Sequence, residues 1–310
     1  MIVTLTPNTT IDLIVFIPKL VPDMTIRATQ TFHSMGGKPT DASWILGRMG
    51  VSNHALGLAA GAIGGKVKSL LSEFGVTTDF VEADGETRIN TVIVDETSNE
   101  QTTITTTSMT VTPEHINELR QTYIESLKTA SVVVTGGSLP QGMSADFYVD
   151  VIQLAHEHNV PVIFDASHPN LHVGLQAKPT YIKPNQYELS SLVGHEINSV
   201  ESAYRVGQDI LNQYGTQPII TLGKAGALAI LKHATYHIPP LDINVKSAAG
   251  AGDAVLAGLA HALHHGDSIE DGIRLGIATA SAVCLHPATA AYHVEDMERL
   301  LPQVELIPYP

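Results

Sequence analysis

The chain has 310 residues, 44% of them hydrophobic, with 31 Asp and Glu against 17 Lys and Arg for a net charge of −14. That length and apolar content suffice for one large core, and a 15% share of charged residues separates it from disordered chains. The negative field repels nucleic acid and anionic membrane surfaces, so neither is an expected partner, and an anionic substrate would need a local cluster of cationic donors. No apolar run approaches the ~18 residues of a membrane span. The opening MIVTLTP reads as a strand, with no basic region or cleavage site of a secretory signal. The single cysteine, Cys284, allows no internal disulfide and suits a reducing compartment. A cytoplasmic location is expected.

In chain order, Asp12–Ile17, Thr29–His33, Thr87–Asp95 and Gln101–Thr107 read as alternating or Thr-rich strands, with little helix between the last two. They interrupt a βα rhythm, and some are expected in a small sheet beside the main one. Such a sheet is either an edge extension or a lid over a site, and spacing does not choose between them. From about residue 130 one theme repeats: a β-branched run, a polar or glycine cluster, then a helical stretch. The runs are Ser131–Thr135, Val162–Asp165, Tyr181–Lys183 and Pro218–Thr221. The helical patterns cover Ala145–His158, Gln186–Leu192, Ser202–Gln213 and Ala251–Leu263. Strands alternating with helices predict a largely parallel α/β sheet covered on both faces. No long-period repeat, low-complexity linker or charge block marks a second independent domain.

Open α/β sheets bind ligands at the carboxyl ends of their strands. The clusters there are Gly136-Gly137-Ser138-Leu139-Pro140, Lys183-Pro184-Asn185, Leu222-Gly223-Lys224-Ala225-Gly226 and Gly250-Ala251-Gly252-Asp253. The last opens an apolar helix. Small residues there let amide N–H groups approach phosphate oxygens, and the helix N-terminus adds favourable partial charge. Asp253 in that first turn has two readings: an acid that stabilises the helix start, or a base placed to take a hydroxyl proton as phosphate is attacked. No Walker loop is present, since neither Gly37-Lys38 nor Gly65-Lys66 has the required spacing. The nearest match to G-x-G-x-x-G carries Val255 in its third glycine position, which argues against a nicotinamide dehydrogenase.

Taken in order, these motifs resemble the ribokinase-like (phosphofructokinase B) carbohydrate kinases, in the branch of 1-phosphofructokinase and tagatose-6-phosphate kinase. Thr6-Pro7-Asn8 with Asp12 is similar to the family's opening strand and sugar-binding aspartate. Gly36-Gly37-Lys38 resembles its sugar loop, Thr87-Arg88-Ile89-Asn90 its Thr-Arg-Ile strand, and Gly137-Ser138-Leu139-Pro140 a substrate-side turn. Lys183-Pro184-Asn185 with Glu188 looks like its Asn-x-x-Glu element, Thr221-Leu222-Gly223 through Gly226 its nucleotide loop, and Gly250–Asp253 its Gly-Ala-Gly-Asp signature. The resemblance runs from Met1 to about Val304. It implies an α/β fold, a ribokinase-like three-layer α/β/α sandwich with a small β-sheet lid. The whole of 1–310 would be one kinase domain, with lid strands drawn from about 12–33 and 87–107.

The same resemblance implies transfer of the ATP γ-phosphate to a hydroxyl of a ketohexose phosphate, ATP and a small phosphorylated sugar being the partners. Asp253 would be the base, and the amides of Gly250, Ala251, Gly252 and Asp253 would hold the charge developing on the phosphoryl group. Asp12 would accept from sugar hydroxyls, and Lys38 and Arg88 would meet an anionic group. Gly36, Gly37, Asp41, Asn90 and Ser138 complete the substrate set. Lys183, Asn185, Thr221, Gly223 and Gly226 would line ATP, and Glu188 with Asn185 would organise Mg²⁺ and its waters. Exposed lid strands would let two copies pair into a homodimer.

The chain departs from the family's sugar loop, which continues Gly-Gly-Lys-Gly-x-Asn. Here Pro39 fixes the backbone and Asp41 replaces an amide with an acceptor-only carboxylate that repels a nearby phosphate. Ala248-Ala249 lacks hydroxyls often found before the glycine loop. Two other functions stay open: a kinase of a free sugar or nucleoside on the same fold, and an inactive sugar-phosphate sensor, against which an intact Asp253 argues. Outside the motifs, His261, His264 and His265 read as a solvated helix end, because that helix offers no Cys or carboxylate at coordinating spacing. Cys284 and Trp44 read as core packing, and Arg27 as a solvated lid residue.

Overall fold

A computed structural model describes residues 1–98 and 100–310. Strand β1 (Ile2–Thr6) is followed by β2 (Thr10–Ile17) and β3 (Gln30–Gly36), then helix α1 (Lys38–Arg48). Next come β4 (Asn53–Ala59), α2 (Gly61–Ser72), β5 (Thr77–Glu82), β6 (Arg88–Asp95) and β7 (Gln101–Thr105). The βα alternation then runs α3 (Pro113–Leu127), β8 (Val132–Gly136), α4 (Asp146–Glu157), β9 (Val162–Asp165), α5 (Asn170–Leu175), β10 (Tyr181–Ile182) and α6 (Gln186–Val193). It continues through α7 (Val200–Tyr214), β11 (Gln217–Thr221), β12 (Ala227–Ile230) and β13 (Thr235–Ile238). Helices α8 (Ala251–His265), α9 (Ile269–Cys284) and α10 (Val294–Leu300) and the short strand β14 (Ile307–Pro308) complete the chain.

The main sheet has the order β14-β13-β12-β11-β10-β9-β8-β1-β4-β5. From β11 to β5 all neighbours are parallel, whereas β12, β13 and β14 are added antiparallel. Alternation along each strand divides the core in two. On β8, Val132 and Val134 face α1, α2, α8, α9 and α10, while Val133 faces α3, α4, α5, α6 and α7. Ile163 and Ile219 join the first cluster; Val162, Phe164 and Ile220 join the second. Strands buried on both sides read as continuous apolar runs for this reason, and the result is the three-layer α/β/α arrangement.

All four interrupting runs form a separate four-stranded sheet in the order β3-β2-β6-β7. It is a second sheet, not an extension of the main sheet's edge. Strand β2 leaves β1 after three residues and β3 runs into α1 through Gly37, so both ends are anchored beside the main sheet's carboxyl rim. The parallel pairing of β2 with β6 sets Thr10 opposite Arg88 and Asp12 opposite Asn90.

Helix α8 is apolar on all sides, with every residue from Ala254 to Ala260 buried, so it lies within the core rather than on it. Its neighbour α9 approaches closely because both helices present glycines at the crossing. A Cβ on Gly258 would stand 2.4 Å from the Gly276 amide nitrogen and 2.5 Å from the Gly272 carbonyl oxygen. Both obstacles are backbone. Gly258→Ala is therefore expected to force the helices apart and cost about 1–3 kcal/mol. A urea titration should show a lower midpoint with an unchanged slope; an unchanged midpoint would mean that the crossing can open freely.

Candidate active site

The carboxyl ends of β1, β8, β9 and β10 converge with the start of α8 and the small sheet. Asp165, the last residue of β9, stands at the centre. Lys38 Nζ lies 2.6 Å from Asp165 Oδ1 and 2.6 Å from Glu188 Oε1. Lys183 Nζ reaches Asp165 Oδ2 at 3.0 Å, an ionic contact whose angle falls short of a hydrogen bond. Burial works against charge on Lys38, but Asp165 and Glu188 outweigh it and raise its pKa above the ordinary lysine value. Burial likewise disfavours ionised Asp165, and Lys183 and Lys38 overcome it, holding the carboxyl below its usual range. Lys38, expected from the sequence to meet an anionic ligand group, is thus already engaged by two protein carboxylates.

Glu188 is fixed by a reciprocal cap on α6. Its amide donates to Asn185 Oδ1 at 2.8 Å, and its Oε2 accepts from the Asn185 amide at 3.0 Å. Ser167 Oγ donates to Oε1 at 2.9 Å. The Asn-x-x-Glu spacing is therefore first of all a capping box. It places Glu188 beneath Lys38 with one Oε2 lone pair left free.

At the start of α8, Gly250 is the left-handed N-cap, φ 81°, and a Cβ there would meet the Ala290 amide nitrogen at 2.3 Å. Only glycine fits this reversal, which turns the amides of the first helical turn toward the rim. Lys183 Nζ comes within 3.0 Å of where a Cβ on Gly252 would stand, so the ammonium lies against the bare loop. An acid that served only to stabilise this helix start would be kept ionised. Asp253 is only partly ionised near neutral pH: burial, and then the charge of Asp165, push its pKa up to about 7, although Lys183, Lys38 and a hydrogen bond from Asp41 pull the other way.

Asp41 differs from its sequence reading. It is buried in the first turn of α1, and burial, followed by the charges of Asp253 and Asp12, holds its pKa well above the carboxylate range. Its charged form is therefore disfavoured, and a proton it keeps can be donated to Asp253, which weakens the repulsion expected of it toward a phosphate.

The small sheet supplies the remaining groups. Asn90 Nδ2 donates to Asp12 Oδ1 at 3.0 Å, as the β2–β6 register dictates. Asp12 has room because residue 36 is glycine: a Cβ there would stand 2.4 Å from Asp12 Oδ1. Burial raises the Asp12 pKa, offset in part by Asn90, Thr289 and Arg88. Arg88 is half-buried and has no ion pair among the described residues, and its Nε is a buried donor without a partner. Ser138 Oγ accepts from Asn8 Nδ2 at 3.2 Å on the β8 turn. Arg27 is exposed in the β2–β3 connection.

Beside this centre a cleft of about 940 Å³ is lined by Lys183, Asn185, Thr221, Gly223, Gly226, Ala251 and Gly252, with Ile238, Pro239, Ile243 and Ile277 on its apolar wall. Cys284, read from the sequence as core packing, also lines it; burial raises its pKa to about 11 and keeps it a thiol. Trp44 is buried, edge-on to Phe74 at 5.8 Å.

Residues 5–296 match the model of the pfkB family carbohydrate kinases. The chain belongs to the pfkB family. This pfkB kinase is 29% identical to a 1-phosphofructokinase of Bacillus subtilis and 29% identical to a tagatose-6-phosphate kinase of Staphylococcus epidermidis, each alignment covering 99% of both chains. It is 31% identical to a D-tagatose-1-phosphate kinase of Bacillus licheniformis over 91% of each chain. Phosphofructokinase-2 from Escherichia coli, solved with substrates and products, superimposes with a TM-score of 0.90 at 27% identity, over 97% of this chain and 98% of that one. The ribokinase-like fold and ATP-dependent carbohydrate kinase chemistry expected from the motifs are those of its family. Among the described residues no helix is long and apolar enough to cross a membrane.

Asp165 was not singled out from the sequence as a site residue. The signal available was its place: an acid ending the apolar strand Val162–Asp165, at the sheet edge where ligands bind. As the shared counter-ion of two lysines, Asp165→Asn should destabilise this kinase by about 3–5 kcal/mol, because it leaves the buried Lys183 ammonium uncompensated and Lys38 with Glu188 alone. Chemical denaturation of the variant measures this; a loss below about 1 kcal/mol would show that the lysines find other partners.

Proposed function

We propose that this carbohydrate kinase phosphorylates a hydroxyl of a ketohexose phosphate, with Asp253 as general base. The observation that carries the substrate class is Arg88. A half-buried guanidinium with no ion pair and an unpartnered Nε, beside the hydroxyl-reading pair Asp12–Asn90, suits a sugar that also bears a phosphate. A free sugar or nucleoside would leave that charge facing only Asp12, itself shared with Asn90 and the sugar hydroxyls. The three relatives' names each include a ketohexose phosphate kinase activity of those proteins.

In this reading ATP occupies the cleft along Thr221, Gly223 and Gly226, with its phosphates toward the Gly250–Asp253 amides and Lys183. The sugar lies between Asp12, Asn90, Ser138 and the Gly36-Gly37 turn, under the small sheet acting as a lid. Asp253 takes the acceptor proton as the hydroxyl attacks, and the amides stabilise the phosphoryl charge. The donor set suits Mg²⁺. The free lone pair of Glu188 is a hard oxygen, fitting an ion that keeps its waters and takes other ligands from phosphates. Bound there, Mg²⁺ would neutralise charge on ATP, held by Glu188 as Asn185 orients it. The exposed Leu20, Val21, Met24 and Ile104 beside or within the small sheet support pairing of two copies through it.

Two measurements test the base. Asp253→Asn should lower kcat by ~10²–10⁴ with little change in the KM for ATP. Because the base must be ionised and its pKa is raised to about 7, wild-type kcat/KM should climb as pH rises through 7 and then level off. A flat profile between pH 6 and pH 8, about a unit on either side of that value, would remove Asp253 from the role.

ADP release with Mg-ATP and a panel of acceptors tests the substrate class. Fructose 1-phosphate, fructose 6-phosphate, tagatose 6-phosphate and tagatose 1-phosphate are set against free ketoses, ribose and nucleosides. One of the ketose phosphates should give the highest kcat/KM, and Arg88→Ala should reduce it by about tenfold or more, the worth of a charge-assisted hydrogen bond. A preference for a free sugar or a nucleoside would sink the proposal, and binding without turnover would mark a sensor.

A further inference from the structure

The histidines that close α8 do not stand alone. His261 and His265 are one helical turn apart on the same face, their rings stacked with centroids 4.2 Å apart. The helix then ends at Gly266 in the left-handed conformation, and the Gly266 and Asp267 amides both return to the Ala262 carbonyl, at 2.9 and 3.0 Å. That reversal folds Asp267 back along the helix. One ligand atom from each of His261, His265 and Asp267 lies within 4.8 Å of the others. A helical repeat could not show this, because the carboxylate lies beyond the C-cap.

Two further observations favour a cation. His265 Nδ1 is 2.9 Å from the His261 carbonyl oxygen, so Nδ1 carries the proton and Nε2 presents its lone pair outward, the arrangement that orients histidine ligands on metals. The site also sits on the C-terminal end of a 15-residue helix, where the helix dipole is negative. His264 stands outside this group: its Nδ1 turns to Ser131 Oγ at 2.7 Å, and the atoms that lie together are those of His261, His265 and Asp267.

We propose that His261, His265 and Asp267 form a binding site for a divalent late transition ion of the Zn²⁺ class, at the end of α8 opposite its catalytic turn. Two imidazoles and one carboxylate with open remaining positions suit Zn²⁺, and imidazole ligands disfavour Mg²⁺.

The test is calorimetric titration of the chelator-treated full chain with ZnCl₂ at pH 7.5, in millimolar Mg²⁺ to occupy the catalytic carboxylates. Wild type should bind one equivalent with micromolar affinity. His261→Ala and, separately, Asp267→Asn should each weaken that binding by about tenfold or more, while kinase activity in Mg-ATP without Zn²⁺ stays within about twofold of wild type. Co²⁺ in place of Zn²⁺ should give a visible d–d band that both variants lose. Absence of micromolar Zn²⁺ binding in wild type would overturn the proposal, as would binding that persists within about threefold in both variants. The readout is binding, so it stands or falls independently of the sugar that the kinase uses.

Discussion

The catalytic end of the molecule depends on one buried carboxylate, Asp165, held between two lysines. Each lysine comes from a different element: Lys38 from the start of α1, which follows the small sheet, and Lys183 from the turn after β10, which borders the nucleotide-sized cleft. Asp165 therefore ties the small-sheet side to the cleft side through charge. Such a centre would cost more than it returns if the charges were unpaired. Here Glu188 shares Lys38, and α6 secures Glu188 through its own cap. The same charge then acts on Asp253. Together with burial it raises the pKa of the proposed base toward neutrality, where proton transfer is efficient at physiological pH.

Much of this was legible in the sequence because local chemistry and global fold agree. The run Val162–Asp165 is a strand over those very residues, and the helix expected over Ala251–Leu263 runs Ala251–His265. The four interrupting strands were readable as strands, and their common sheet was not. Pairing β2 with β6 joins segments more than seventy residues apart, and no local pattern encodes that partner. Protonation was hidden for a related reason. Asp41 and Asp253 read as ordinary acids until the fold draws both out of bulk solvent, Asp41 more completely, and sets them side by side. Lys38 shows the same limit: its loop motif marks it as important, but its two carboxylate partners lie 127 and 150 residues away.

Asp41 also shows how a departure from a family pattern can conserve a physical role. Replacing an amide by a carboxylate removes a donor only if the acid ionises. Buried beside Asp253 and Asp12, its ionised form is the disfavoured one, and the protonated form can still offer a hydrogen to Asp253. The polar surface presented to a ligand is then closer to that of an amide than the residue letter suggests.

The glycine crossing of α8 with α9 has a mechanical consequence for phosphoryl transfer. With backbone against backbone at Gly258, Gly272 and Gly276, and Gly250 seated on Ala290, the helix bearing Asp253 meets α9 with no side-chain layer between them to yield. The small sheet is held differently: besides its short connections it reaches the body through Ser34 Oγ on the Thr289 carbonyl and Gln101 Nε2 on Ser247 Oγ, and its edge strand β7 is exposed along its whole length. Compliance is distributed unequally between the two. In the proposed reading the base stands on the rigid element, so the alignment of the attacking hydroxyl falls to the sheet that carries Asp12, Arg88 and Asn90.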